Sequence, residues 1–83
     1  MSTIALDHSE LQDTKAVARA VGATIRQARE QRQHTREYLA KRLRMHVTTL
    51  ARIETGHQPN VKLGSLVKVL RFYRLELSVR GIE

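Results

Sequence analysis

The chain has 83 residues, 41% hydrophobic and 28% charged, which suits one small folded domain. It has no Cys, which excludes disulfides, thiol nucleophiles and cysteine zinc sites; no run approaches about 18 apolar residues, and no basic-then-apolar leader opens the chain. The formal charge is +7, but residues 1–14 carry Asp7, Glu10 and Asp13 and no cation, a net −3 that leaves +10 on the remainder. So basic a body attracts a polyanion, and on charge alone nucleic acid and acidic lipid both qualify.

Residues 1–13 read as a flexible acidic tail, because Ile4, Ala5 and Leu6 are too short an apolar run to assign and the acids after them suit solvent. Asp13 or Thr14 is the first N-cap candidate. A helix is expected over 15–33, where Val17, Val21, Ile25 and Ala28 recur at helical spacing and Gly22 weakens the helix by roughly 1 kcal/mol relative to Ala. Thr35 then caps a short helix over 36–43, with Leu39, Ala40 and Leu43 on one face. A third helix over 47–55 buries Leu50 and Ile53 and ends at Gly56. After a loop at His57-Gln58-Pro59-Asn60 comes a fourth over 62–73, with a broad apolar face.

The period then changes. Leu75, Leu77 and Val79 alternate with Glu76, Ser78 and Arg80 before Gly81, the pattern of a strand. A lone strand must find partners for its backbone groups. Two solutions are open: the same strand from a second copy across a two-fold axis, or residues 3–6 of the same chain. The first is favoured because it needs no order at the N-terminus.

The stretch from Arg36 to Thr55 carries the chemistry. Leu39, Ala40, Leu43, Met45, Leu50 and Ile53 fall at the spacing of two short helices crossing steeply, with the small Ala40 allowing close approach and Met45 plugging the corner. That is the pattern of a helix-turn-helix, whose second helix presents a polar face to the major groove. An ordinary helical hairpin shares the spacing; the basic body favours DNA.

Thr35-Arg36-Glu37-Tyr38-Leu39-Ala40 followed by Thr49-Leu50-Ala51-Arg52-Ile53-Glu54-Thr55-Gly56 resembles the Xre family of lambda-repressor-like DNA-binding domains, and Ile25-Arg26-Gln27-Ala28-Arg29-Glu30 is similar to that family's first helix. The resemblance implies an all-α bundle of four to five helices over residues 14–74, with residues 75–83 adding a short C-terminal β-strand that pairs across a homodimer. It implies that Val47, Thr48 and Arg52 read base edges, and that Arg36, His46, Thr49, Thr55 and Lys62 hold phosphates. It also implies an ion pair between Arg29 and Glu54. The tail Leu70-Arg71-Phe72-Tyr73-Arg74-Leu75-Glu76-Leu77-Ser78-Val79 is similar to HipB-type antitoxins, which implies dimerisation through Leu75, Leu77 and Val79, a palindromic operator, and a HipA-like kinase toxin as second partner in a bacterial cytoplasm. A stand-alone phage, plasmid or restriction-system repressor is the alternative, and a protein-interaction module without DNA binding is a third. The family pattern is broken at several points: Arg36 stands for Gln, Arg44 for a turn Gly, His34 for an apolar residue, His46 for a Ser or Thr cap, and Arg74 for a helix-ending Gly. An Arg in a left-handed turn costs about 1–2 kcal/mol, which predicts a reshaped turn.

Other constellations carry less. His8, His34, His46 and His57 lack metal-ligand spacing, so no metal or cofactor is expected. Asp7-His8-Ser9 has triad residue types, but adjacent residues cannot align as nucleophile, base and orienter. Asp7, Glu10 and Asp13 read as a solvated flank, and no residue set supports an enzyme.

Overall fold

The computed structural model describes residues 3–57 and 60–80; the predicted loop residues Gln58 and Pro59 and the strand-ending Gly81 lie outside them. The chain runs β1 (Thr3–Asp7), α1 (His8–Leu11), α2 (Thr14–Gln31), α3 (Arg36–Leu43), α4 (Val47–Thr55), α5 (Leu63–Phe72) and β2 (Glu76–Arg80). Among the described residues no helix is long and apolar enough to cross a membrane.

The N-terminal segment departs from the expected tail. Residues 3–7 form a strand that pairs in parallel with β2, in the register Thr3 to Glu76 through Asp7 to Arg80. Alternation explains it: Ile4 and Leu6 are buried at 4% exposure each, while Thr3, Ala5 and Asp7 face solvent. Asp7 then starts α1 as a capping box. Its carboxylate accepts the Glu10 N–H at 2.8 Å, the Glu10 side chain accepts the Asp7 N–H, and the Ser9 hydroxyl donates to Asp7 at 2.7 Å. These bonds to the ionised form hold the Asp7 carboxyl below its usual pKa. Asp13 caps α2 by accepting from the N–H groups of Lys15 and Ala16. The partner expected for β2 from a second copy is therefore supplied, along one edge, from within the chain. Among the described residues the sheet has two strands, and each keeps an outer edge without a partner.

The core is centred on Ile25, Leu39, Leu50 and Val69, which have essentially no exposure. Around them close Val21, Ala28, Ala40, Ile53, Leu70, Tyr73 and Leu75, with Ile4 and Leu6 from β1. Gly22 allows α2 and α4 to approach: a β-carbon there would overlap the backbone carbonyl oxygens of Ile53 and Glu54. The helical propensity lost at Gly22 therefore secures a close crossing.

Helices α2, α3 and α5 end alike. Gln33, Arg44 and Arg74 take positive φ of 57°, 55° and 53°. In α3 the N–H groups of Arg44 and Met45 donate to the carbonyls of Lys41 and Ala40, a Schellman closure with Arg44 at its left-handed position. The turn thus keeps the left-handed geometry and is not reshaped around the arginine.

Candidate nucleic-acid interface

α4 divides into two faces. Leu50, Ile53 and Glu54 point into the molecule, while Val47, Thr48, Arg52 and Thr55 are exposed and Thr49 is half-buried. Three features position this helix. One is the close crossing at Gly22. Another is Gly56, left-handed at φ 64°, which closes the C-terminal end. The third is a buried charge cluster behind α4.

In that cluster the Glu54 side chain has no exposure. Its Oε2 accepts from Arg29 Nε at 2.7 Å, and its Oε1 accepts from Arg29 Nη2 at 3.0 Å and from Arg36 Nε at 2.9 Å. Arg29 Nη1 donates to the His34 carbonyl at 2.8 Å, tying the α2–α3 turn to the same centre. The hydrogen bonds from Arg29 to Glu54 outweigh burial and hold the Arg29 guanidinium above its usual pKa. Beside it Tyr73 shares a 3.1 Å hydrogen bond with His34 Nδ1, and burial raises the Tyr73 phenol.

Outside, a groove of about 360 Å³ runs between the α3–α4 turn, α4 and the start of α5. It brings together His46, Thr49, Arg52 and Lys62, four residues that the sequence placed at an interface, and adds Arg44 and Lys68. Among the described residues no Asp or Glu lines it. α4 and α5 begin at His46 and Lys62 without side-chain caps, so their helix dipoles add to the positive potential. On the other flank of α4, Thr48, Ala51, Arg52, Thr55 and His57 line a shallower depression, so Arg52 borders both. The Thr55 hydroxyl is already engaged locally, with the Arg52 carbonyl and the His57 N–H. Val47 is 38% exposed and lines neither hollow.

Arg36 stands apart from the groove. Its Nε is committed to Glu54, its side chain is about one-third exposed, and it lines a separate hollow with Arg29, Glu30, Thr35 and Glu37. Sequence reasoning assigned Arg36 to phosphate alone and missed this bond, which joins residues eighteen positions apart. It also missed Arg44 and Lys68; the signal available was their charge without a nearby acid at helical spacing. Leu75 is buried, Leu77 is 46% exposed, and Val79 contributes its backbone to β2 opposite Leu6. Among the described residues no cluster of His, Asp or Glu has the arrangement to hold a metal.

A family model described as a helix-turn-helix domain matches residues 20–80. No curated protein and no solved structure matches the chain. The match runs from within α2 through the end of β2 and takes in the whole α3–turn–α4 pair, and the chain belongs to the helix-turn-helix domain family.

Proposed function

We propose that the protein is a sequence-specific DNA-binding repressor that lays α4 in the major groove of its operator. The observation that carries this reading is Arg52, exposed on α4 between two hollows and beside a groove whose charged lining, among the described residues, is all basic. An arginine there takes guanine O6 and N7 bidentately, and Val47 and the Thr48 methyl group meet thymine methyls. His46, Thr49, Thr55 and Lys62 hold phosphates, as does the part of Arg36 not bound to Glu54.

The protein acts as a homodimer through the free edge of β2. Leu77 supports this: it is a large apolar side chain 46% exposed on a strand that, among the described residues, has one edge unpaired. Two-fold symmetry then requires a palindromic operator with half-sites about 34–36 Å apart, or a multiple of that. The similarity of residues 70–79 to HipB-type antitoxins supports a second role, neutralising a HipA-like kinase toxin encoded beside it and repressing the shared promoter. A stand-alone repressor is the same protein without that partner.

Selection of bound duplexes from a random pool tests the DNA reading: the protein enriches one palindrome, and Arg52→Ala relaxes the choice at one position by about 1–3 kcal/mol. Enrichment of no sequence rejects sequence-specific recognition. Sedimentation of Leu77→Glu tests the dimer, which dissociates if β2 joins two copies. Co-expression with a neighbouring kinase-like reading frame separates the antitoxin from the stand-alone repressor.

A further inference from the structure

Arg44 is placed where folding alone disfavours it. It holds the left-handed closing position of α3, at φ 55° and ψ 51°, a conformation that glycine takes freely and other residues take under strain. Its side chain lines the groove that also holds His46, Arg52, Lys62 and Lys68. Among the described residues Arg44, Arg52, Lys62 and Lys68 enter no ion pair, whereas Arg26, Arg29 and Arg36 each have a carboxylate partner. Gln33 and Arg74 share the backbone geometry but do not line this groove. Among the described residues Arg44 alone combines left-handed strain with a place in this groove, and no carboxylate among them neutralises its charge.

An anion in the groove offsets the repulsion. We propose that Arg44 and Lys68 form a clamp on one phosphodiester of the duplex, gripped from the α3–α4 turn on one side and from α5 on the other. The inference rests on the proposed entry of α4 into the major groove and names the contact that fixes its depth. The guanidinium fork suits two phosphate oxygens, and the lysine supplies a point charge opposite. Phosphate contacts carry no base information, so the clamp acts equally on every sequence.

The test uses the full chain and a labelled mixed-sequence duplex of about 30 base pairs, with anisotropy followed over roughly 50–200 mM salt and thermal unfolding in parallel. Arg44→Gly unfolds at or above the wild-type temperature, yet binds about 5–10-fold more weakly at low salt, with a log–log salt slope shallower by about 1. Arg44→Gln, which keeps a long side chain at the same backbone angle, loses the same slope, and Arg44→Lys restores most of it. Lys68→Gln combined with Arg44→Gly flattens the slope by about 2. Wild-type affinity and slope in Arg44→Gly and Arg44→Gln, while Arg52→Ala still weakens binding, overturn the clamp and leave the DNA reading standing. Failure of the wild-type chain to bind any duplex overturns both.

Discussion

Glu54 grips Arg29 with both carboxylate oxygens, at 2.7 and 3.0 Å, across 25 residues of sequence. The pair joins the outer end of α2 to the inner face of α4, and so fixes the angle at which the opposite face of α4 is presented. Removing one partner of a buried pair leaves the other charge uncompensated. Glu54→Ala is expected to lower stability by about 3–5 kcal/mol in urea unfolding. Arg36→Ala leaves Arg29 on both oxygens and removes a partly exposed group, so it should cost about 1 kcal/mol or less. Equal costs for the two substitutions would show that Arg36, not Arg29, holds the carboxylate.

Gly22→Ala reverses the usual helix rule. In an exposed helix interior the change stabilises by roughly 1 kcal/mol. Here the new methyl group meets the carbonyls of Ile53 and Glu54, and backbone cannot yield cheaply. The denaturation midpoint should fall, corresponding to a loss of stability on the order of 1–3 kcal/mol or more. A midpoint at or above wild type would mean that α2 and α4 do not cross at Gly22.

Deleting residues 1–7 tests the intrachain strand pairing, which the sequence reading offers as the second of two solutions. Ile4 and Leu6 are buried, and each is worth roughly 1.5–3 kcal/mol of burial as an upper range. The truncated chain should melt well below the full one. A detachable tail would leave the melting curve in place.

These cases show where the sequence was legible. The periods of α2 to α5 and of β2 come from apolar residues spaced along long segments, and the helix-turn-helix follows from Leu39, Ala40, Leu43, Met45, Leu50 and Ile53. The Arg29–Glu54 pair was reached through the family resemblance, not from spacing. β1 is only partly legible: residues 3–6 are a possible partner for β2, but only Ile4 and Leu6 alternate inward, and their value depends on a strand some seventy positions away, so the sequence favours a second copy instead. The capping box at α1 is written in the spacing of Asp7 and Glu10, three apart, although their charge by itself reads as a solvated flank. The second partner of Glu54 and the basic groove arise from tertiary packing, which brings Arg36, Arg44 and Lys68 to places that no local pattern encodes.

Alkaline stability should respond to Tyr73. Burial raises its phenol pKa above the usual value near 10. A raised folded-state pKa contributes stability that is complete below about pH 10 and is lost as pH rises through the higher folded value. Wild type should therefore lose stability above about pH 10 more steeply than Tyr73→Phe, which has no phenol to ionise. Parallel curves for the two proteins would place Tyr73 in solvent.

The proposed function stands on the outward face of α4 meeting duplex DNA. Backbone amide shifts of the isotope-labelled chain, followed as a short duplex is added, test it most directly. The largest changes are expected at Thr48, Thr49, Arg52 and Thr55, with Arg44 and Lys62 next and β1 unmoved. Changes concentrated on β1 and β2, with α4 silent, would contradict it.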